Sequence, residues 1–191
     1  FGQHFYQESY RLNVVPMDRL PKFLAEGKII GVIRGGSEHG PRALGNRSIL
    51  CNPTFPKMKD VLNSKVKHRE WYRPFAPVVK VETANTYFDI LEESPYMSFA
   101  FDVRPEWREK LSSITHVDGT ARVQTLRKEQ NPWLYQLLED FEKLSGHGVL
   151  LNTSFNVNGQ PILSTVREAF QVLVGSDMDG LVVENTLLMK K

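Results

Sequence analysis

The amino-acid sequence predicts an α/β fold, in which helices pack on a β-sheet. Patterns typical of helices and of strands alternate along the 191 residues, as expected when helices connect the strands of a sheet and cover it. The hydrophobic fraction of 41% is ordinary for a domain with a buried core. The lack of sequence repeats, heptads and low-complexity tracts favours a single domain. The pattern leaves parallel and mixed sheets as open alternatives.

The first half of the chain contains five predicted elements. Hydrophobic periodicity identifies each element, and glycine, proline and polar residues mark where it ends. The predicted elements are a short helix over residues 17–26, a buried strand over 28–34, a short strand over 48–51, a helix over 56–64 and a strand over 76–81.

Three shorter elements are predicted in the middle of the chain. Apolar and β-branched residues favour strands over residues 96–103 and 122–126. Between them, residues 105–111 begin with a proline, which suits the first turn of a helix.

The clearest helix begins at Asn131 and ends at Gly146. Asn131 is a good N-cap, Pro132 suits the first helical position, and glycine commonly follows the last turn. The spacing of the apolar residues predicts one buried face, formed by Leu134, Leu137, Leu138, Phe141 and Leu144.

The last part of the chain adds two strands and a helix. Residues 148–155 are predicted as a strand that ends in small polar residues. Thr165 and Glu168 have the spacing of a capping box, which predicts a helix that continues to about residue 175. The apolar residues 181–189 are predicted to form the closing strand.

Composition limits the classes of protein to which the chain can belong. A single cysteine, Cys51, can form neither an intramolecular disulfide nor a zinc site, which favours a cytoplasmic location. No apolar run approaches the roughly 18 residues of a membrane span, so no membrane partner is expected. The net charge of +2 makes nucleic acid an unlikely partner. An anion site must therefore arise from a local concentration of Lys and Arg.

The N-terminal residues resemble the tail of a preceding segment. The chain begins at Phe1 instead of methionine. We therefore expect residues 1–14 to be a residual linker from a missing N-terminal domain, and residues 15–191 to form one domain.

Residues 35–48 form a glycine-rich segment that contains Arg42 and Arg47. Glycines allow backbone N–H groups to approach an oxyanion, and an arginine can bind phosphate through two parallel hydrogen bonds. The segment matches neither a P-loop nor a dinucleotide-binding fingerprint. A structural turn with solvated arginines is the alternative.

Residues 63–75 contain a second concentration of positive charge. If this backbone is extended, Lys65, Lys67 and Arg69 share one face, where a polyphosphate would neutralise them. A charged edge that discourages strand pairing is the alternative. The aromatic residues of the segment are predicted to be core, with stacking on a base as the alternative; they are Trp71, Tyr72 and Phe75.

Polar residues in two later segments could complete such a site. In an extended strand, Asn152, Ser154 and Asn156 lie on one side, at an end where α/β proteins often bind ligands. These residue types also cap ordinary turns. In residues 116–124, one histidine and one carboxylate are too few for a metal site, so we predict no protein-held metal and regard Arg122 as an anion-binding candidate.

Taken together, these segments resemble the C-terminal domain of the carbamoyltransferase family that includes nodulation and antibiotic-tailoring O-carbamoyltransferases. The resemblance covers nearly the whole chain from Val15 and includes two short signatures. The Lys-x-Arg signature corresponds to Lys67-His68-Arg69, and the Ser-x-Asn signature to Ser154-Phe155-Asn156. The resemblance implies a YrdC/Sua5-like fold, a twisted and mostly mixed sheet that is flanked by helices and has a basic concave face.

The resemblance also implies a function. Domains of this family use ATP, Mg²⁺ and carbamoyl phosphate to form carbamoyl adenylate, with release of phosphate and pyrophosphate. A Kae1-like N-terminal domain of the same polypeptide, which holds a metal, then transfers the carbamoyl group to a hydroxyl acceptor. An RNA-binding surface and a nucleotide-binding module without catalysis are the alternative functions.

Site roles follow from the same resemblance. Lys67 and Arg69 are expected to be catalytic and to contact carbamoyl phosphate or the reacting carbamate. Arg73 and Arg122 are expected on phosphates. The other residues expected to bind ATP or carbamoyl phosphate are Asn152, Ser154 and Asn156, around the triphosphate, and Arg42 and Arg47, whose contacts are left open.

Overall fold

Apolar residues alternate along the central strands and build two hydrophobic cores, one on each face of a mixed sheet. The computed structural model describes residues 12–191. Ile49 and Cys51 belong to one core, whereas Leu50, which lies between them in the chain, belongs to the other. Successive side chains of a strand point to opposite faces, so both faces of this sheet are covered. The prediction of a mixed α/β sheet flanked by helices is confirmed.

The large sheet has eight strands in the order β1-β10-β9-β2-β3-β8-β4-β7. The pairs β2–β9 and β4–β7 are parallel and the other pairs are antiparallel. Strands β5 and β6 form a separate antiparallel pair. The strands are β1 (Leu12–Val15), β2 (Ile30–Ile33), β3 (Arg47–Cys51), β4 (Ala76–Lys80), β5 (Phe101–Asp102), β6 (Thr120–Ala121), β7 (Gln124–Leu126), β8 (Val149–Ser154), β9 (Gly180–Val183) and β10 (Thr186–Lys190).

Within residues 12–191, six α-helices connect these strands. They are α1 (Leu20–Ala25), α2 (Met58–Val61), α3 (Ala84–Tyr87), α4 (Pro105–Arg108), α5 (Pro132–Ser145) and α6 (Val166–Val174). Two 3₁₀ turns, Met17–Arg19 and Val81–Thr83, precede α1 and α3, and a π-helical turn, Leu62–Val66, follows α2. Helices α1 and α5 pack on one face of the sheet, and α2, α3 and α6 contribute to the core on the other face. No helix within residues 12–191 combines the length and the apolar character needed to cross a membrane.

The two longest helices begin and end as their sequences predict. The Asn131 side chain accepts a hydrogen bond from the Leu134 backbone N–H at 3.0 Å, and Gly146 ends α5 in a left-handed conformation. Both hydrogen bonds of the capping box between Thr165 and Glu168 are present at the start of α6. The prediction that Leu144 is buried is wrong, because 59% of this residue is exposed.

Two predicted strands and one segment that was considered as extended differ in the structure. Only Phe101–Asp102 of the segment 96–103 is a strand. The segment 181–189 is a hairpin of two strands, because the chain turns at Glu184, a non-glycine residue with φ 49°. Residues 63–69 are not extended: the π-helical turn includes Asn63 and Lys65, so the predicted row of three cations on one strand face is wrong.

The sheet also begins earlier than the predicted domain. Strand β1 pairs with β10 along the sheet edge, so residues 12–14, which the sequence assigned to a linker, belong to the sheet. Residues 1–11 of that predicted linker lie outside the described residues, and its origin in a missing domain stays a prediction.

Candidate functional site

Two adjoining cavities form a cleft beside the C-terminal end of β8 and the start of β4. The larger cavity, of about 410 Å³, is lined by His39, Pro41, Arg42, Leu44, Tyr96, Met97, Ser98 and Arg122. The smaller cavity, of about 90 Å³, is lined by Pro41, Arg42, Ala43, Arg69, Pro74, Phe75, Ala76, Met97, Arg122, Asn152, Thr153 and Ser154. The two cavities share four lining residues, two of which are arginines, so they form one continuous basic cleft.

Lys67 is almost completely buried and lines neither cavity, but it bonds to Ser154, which lines the smaller one. It follows the π-helical turn, where its backbone N–H bonds to the Leu62 carbonyl at 2.8 Å, and it is only 2% exposed. Its Nζ has three N–H donors and lies within hydrogen-bonding distance of four oxygens: Asn156 Oδ1 at 2.8 Å, the Asn156 carbonyl at 3.2 Å, and the carbonyl and Oγ of Ser154. All four partners are uncharged oxygens. Burial lowers the pKa of Lys67 well below its usual value, and the charges of Arg69 and Arg73 lower it further.

The same contacts join the two signatures of the sequence. Ser154 Oγ donates to Asn156 Oδ1 at 2.8 Å, and Asn156 Nδ2 donates to the Gln160 carbonyl at 2.8 Å. These bonds fix both side chains where β8 ends and the chain turns away. The structure therefore brings Lys67, Ser154 and Asn156 into direct contact, although 87 residues separate Lys67 from Ser154 in the chain.

Arg69 is held at the edge of the smaller cavity by its neighbours. Its Nε donates to Asn63 Oδ1 at 2.8 Å, and its guanidinium lies 4.6 Å from the centre of the Phe75 ring. Asn63 is itself buried and bonds to the carbonyls of Trp71 and Arg73. Burial is the main cause that lowers the pKa of Arg69 to about 10. The guanidinium is thus presented to the cleft in one orientation.

Further arginines surround Arg69. Arg122 is partly buried, and its Nε has no hydrogen-bond partner among the described residues. Burial lowers the pKa of Arg122, and the charge of Arg42 adds to this effect. Arg73 is exposed and 3.6 Å from Glu70, and its charge lowers the pKa of both Lys67 and Arg69. Such mutual repulsion is relieved when an anion binds.

Arg47 has a different environment from the other arginines of the predicted site. It is 6% exposed, and its Nη atoms donate to the carbonyls of Arg34, Gly35 and Asn46 at 2.9 Å. Its side chain does not line either cavity. Arg47 therefore holds the loop between β2 and β3 in place, while the exposed Arg42 of the same loop faces the cleft.

Glu38 is a second residue that shapes this loop. Its Oε1 accepts hydrogen bonds from the backbone N–H groups of Leu44 and Asn46 at 2.8 and 2.6 Å. The carboxylate thus folds the chain back on itself and presents the segment 41–44 to the cleft. The sequence does not reveal this role of Glu38, since a glutamate within a polar loop is ordinarily solvated.

Asn152, near the end of β8, connects the loop before β3 with β7 through hydrogen bonds. Its Nδ2 donates to the Ala43 carbonyl at 3.2 Å and to Gln124 Oε1 at 2.7 Å, and Gln124 Nε2 donates to the Leu44 carbonyl at 3.1 Å. Gln124 is 1% exposed. Gln124 was not among the predicted site residues, and the signal in the sequence was a polar residue within a predicted strand.

The aromatic residues near the cleft are divided between core and surface. Phe75 is buried as predicted, whereas Trp71 and Tyr72 are 73% and 60% exposed, so the prediction that they belong to the core is wrong. Tyr96 and Met97, which line the larger cavity, were missed because their segment was predicted as a strand.

His116 and Asp118 organise a turn near Arg122. Asp118 Oδ1 accepts from the Thr120 backbone N–H at 3.0 Å and from its hydroxyl at 2.8 Å, and His116 Nδ1 lies 3.0 Å from the same hydroxyl. Within the described residues, no group of three or more His, Cys, Asp or Glu side chains could hold a metal ion. The turn leads directly into β6 and positions Arg122 at its end.

Comparison with known proteins identifies relatives along almost the whole chain. The family model described as carbamoyltransferase C-terminus matches residues 21–190. The nodulation protein NolNO of Sinorhizobium fredii is 46% identical over 91% of this chain and 26% of its own length. The 3'-hydroxymethylcephem-O-carbamoyltransferase of Amycolatopsis lactamdurans is 40% identical over 88% of this chain and 32% of its own length. The chain thus spans about a quarter to a third of these relatives.

Solved structures share the fold at lower sequence identity. Full-length HypF, crystallised in a phosphate- and nucleotide-bound form, has a TM-score of 0.64 and 22% identity over 91% of this chain and 25% of that chain. A Sua5 variant of P. abyssi has a TM-score of 0.57 and 11% identity over 88% of this chain and 48% of that chain. These similarities confirm the predicted Sua5-like fold.

Proposed function

The chain belongs to the carbamoyltransferase C-terminus family, and from this premise we propose that it activates carbamoyl phosphate with ATP. Water first cleaves carbamoyl phosphate into carbamate and phosphate. A carbamate oxygen then forms a bond to the α-phosphorus of ATP, the bond from that phosphorus to the bridging oxygen breaks, and pyrophosphate leaves. The product is carbamoyl adenylate.

The concentration of positive charge in the cleft is the main observation that supports this proposal. Arg42, Arg69 and Arg122 line the cavities, and no Asp or Glu is among the described lining residues. Lys67 has only uncharged oxygen partners, one of which belongs to Ser154 of the cavity lining, and it lies near enough to Arg69 for that charge to lower its pKa. A reaction between carbamate and ATP brings anions together, so its main requirement is positive potential that is already in place.

The family resemblance supplies a role for each residue, and the cavities directly include Arg42, Arg69, Arg122, Asn152 and Ser154, whereas Lys67, Arg73 and Asn156 line neither cavity. Lys67 and Arg69 would stabilise the reacting carbamate, and Arg42, Arg73 and Arg122 would bind phosphates. Ser154 and Asn156 would keep the Lys67 ammonium aligned and offer polar groups to the triphosphate, with Asn152 beside them. We propose that Arg47 contributes indirectly, since its guanidinium bonds to the loop that carries Arg42.

The larger cavity is suited to the nucleoside part of ATP. Its lining combines apolar groups of Leu44, Met97 and Pro41 with the exposed ring of Tyr96, and two arginines lie where it meets the smaller cavity. An aromatic ring can stack on a base while arginines bind the phosphates. We therefore propose that the base lies in the larger cavity and the reacting groups in the smaller one.

Mg²⁺ would reach the site as a complex with the triphosphate. The described cleft lining offers arginines, amides and hydroxyls, which do not fit a protein cage for a hard cation. Mg²⁺ commonly binds substrate phosphates and retains several waters. When bound, it would neutralise charge on the phosphates and assist the departure of pyrophosphate.

Transfer of the carbamoyl group to a hydroxyl acceptor requires a further proposal. The relatives are three to four times as long as the segment that they share with this chain. We propose that a Kae1-like N-terminal domain of the same polypeptide performs the transfer, and that the protein is cytoplasmic, where ATP is abundant.

The formation of pyrophosphate tests the activation step. The chain should release pyrophosphate from ATP and Mg²⁺ only when carbamoyl phosphate is present, and mass spectrometry should detect carbamoyl adenylate. Lys67→Ala should lower the rate by about 10²- to 10³-fold, because a preorganised donor is removed. Lys65→Ala is the matched control, since this lysine in the same segment is exposed and pairs with Asp177.

Two results would contradict the proposal. Pyrophosphate release that is independent of carbamoyl phosphate would show a different use of ATP. Binding of ATP without either product, together with unchanged ATP affinity in Lys67→Ala, would instead favour a nucleotide-binding module without catalysis.

A further inference from the structure

The side-chain amide of Asn152 has only one orientation that satisfies its neighbours. The carbonyls of Ala43 and Leu44 can only accept hydrogen bonds. Asn152 must therefore present Nδ2 to Ala43, and Gln124 must present Nε2 to Leu44. Gln124 Oε1 then faces Asn152 and accepts its second N–H at 2.7 Å. Two backbone carbonyls thus fix both amides.

This orientation leaves one polar atom without a partner. Asn152 Oδ1 is buried and accepts no hydrogen bond from any described residue. The residue is 1% exposed and lines the smaller cavity. Buried acceptors are almost always satisfied, so an unpaired acceptor on a residue that lines a cavity is a candidate partner for a donor that a ligand supplies.

The neighbours of Asn152 restrict what that ligand can be. The charged groups that line the same cavity are Arg42, Arg69 and Arg122, which only donate hydrogen bonds. A complementary ligand must offer anionic oxygens to the arginines and, within the same small volume, an N–H or O–H donor to Asn152. In carbamoyl phosphate the amide and the phosphate are attached to the same carbonyl carbon and its oxygen. In ATP the amino group of the base is separated from the phosphates by the ribose.

We propose that Asn152 Oδ1 accepts a hydrogen bond from the carbamoyl NH₂ group, and that Gln124 is the positioning residue that keeps this oxygen available. The inference rests on the proposed function and assigns two residues that make the site specific for the carbamoyl group. Asn152 and Gln124 select the carbamoyl group against acetyl phosphate and other acyl phosphates, in which a carbon replaces the amide nitrogen. A site built to bond an N–H rejects analogues that lack it, because its acceptor is left unpaired.

A matched pair of stable ligands tests this selection. Phosphonoacetamide and acetonylphosphonate are not hydrolysed at the bridging position and differ only by NH₂ in place of CH₃. Isothermal titration calorimetry with the full chain should give at least about tenfold tighter binding of phosphonoacetamide, the effect of one well-placed hydrogen bond. Equal affinity for the two ligands would overturn the inference.

Variants separate a positioning role from a merely structural one. Asn152→Leu and Gln124→Met should reduce the affinity ratio to within about threefold, since neither leaves a fixed acceptor in the cavity. Gln124→Glu loses the bond to Leu44 but keeps an acceptor for Asn152 Nδ2, so it should retain the ratio of the unchanged chain. A new charge affects both ligands equally and cancels in the ratio. Equal weakening of both ligands in Gln124→Met would show that the residue only supports the fold.

Failure of this inference is distinguishable from failure of the proposed function. Pyrophosphate release that depends on carbamoyl phosphate, together with equal binding of the two phosphonates, would overturn the amide contact and leave the activation step standing. An increased ATP dissociation constant in Asn152→Leu, with an unchanged phosphonate ratio, would assign the oxygen to the nucleotide. Binding of neither phosphonate, with no pyrophosphate release, would overturn both proposals.

Discussion

Two buried lysines of this protein have opposite surroundings. Lys80, at the end of β4, is 9% exposed and lies 2.8 Å from the Glu142 carboxylate on α5. Although burial opposes it, the hydrogen bond and charge of Glu142 raise the pKa of Lys80. Lys67 is 2% exposed, has uncharged oxygen partners and two neighbouring arginines, and has a strongly lowered pKa.

This difference separates the surroundings of Lys80, where a carboxylate compensates the charge, from those of Lys67, where we propose that an anionic ligand does so. A buried cation is stable when a carboxylate compensates its charge, as at Lys80. Where compensation is missing, folding leaves an unfavourable charge that an anion can neutralise. Glu142 thus compensates the charge of Lys80, whereas the partners of Lys67 are uncharged oxygens, and we propose that a phosphate or carbamate neutralises it.

Stabilisation by an anion should distinguish the two lysines most strongly. Pyrophosphate at a hundredfold excess over its dissociation constant should stabilise the chain by about 2.7 kcal/mol. Lys80→Met should retain this increment, because its ion pair lies outside the cleft. Lys67→Ala should lose most of it. Differential scanning fluorimetry with increasing pyrophosphate measures the increments, and an equal increment in both variants would contradict the distinction.

Loss of the Lys80 ammonium should mainly affect stability. Lys80→Met leaves the partly buried Glu142 carboxylate without its partner, which should lower the free energy of unfolding by about 2 kcal/mol. Urea denaturation measures this change. The double variant with Glu142→Gln should recover part of the loss, since no unpaired charge remains. Pyrophosphate release should stay within about threefold of the unchanged chain, and a larger decrease would place Lys80 in the functional site.

The sequence predicts the local parts of this structure better than the long-range ones. The ends of α5 and α6 follow from Asn131, Gly146 and the pair Thr165 and Glu168, because each signal acts within one helical turn. The hairpin at Glu184 was missed because no glycine or proline marks its turn. Only the pairing of β9 with β10 defines it.

In the candidate site, too, the long-range contacts could not be predicted from the sequence. Resemblance identified Lys67, Ser154 and Asn156, and the structure brings them together. The burial of Lys67 could not be predicted, because it depends on a π-helical turn and on contacts with a distant strand. The hydrogen bond between Gln124 and Asn152 likewise joins two strands that are not neighbours in the sheet, so no local sequence pattern predicts it.

His147 is another buried titratable residue near Glu142, and it makes the stability of the fold depend on pH. The residue is 5% exposed and packs against Phe141 and Trp107. Burial lowers the pKa of His147 to about 4, although Glu142 opposes the shift. The unfolded chain binds this proton near pH 6.5. Stability from neutral His147 is therefore complete above pH 6.5 and is lost as the pH falls towards 4.

The effect of this histidine can be measured by comparing two variants. Between pH 7.5 and pH 5.5 the unchanged chain should lose about 1.4 kcal/mol of stability through His147. His147→Leu has no titrating group and should lack this part of the pH dependence, as measured by urea denaturation at both pH values. The substitution of the exposed His39 by glutamine should retain it. Identical pH profiles for the unchanged chain and His147→Leu would contradict the role of the buried imidazole.

The smallest effect is expected at an exposed lysine in the segment that contains Lys67. Lys65 lies 3.1 Å from Asp177, and both side chains are more than half exposed. Water and salt screen such pairs, so Lys65→Ala should change the free energy of unfolding by less than about 0.5 kcal/mol. The pyrophosphate increment should also remain, because Lys65 lines neither cavity and pairs with Asp177. Loss of that increment would show that anion binding depends on the total charge of the segment and not on the burial of Lys67.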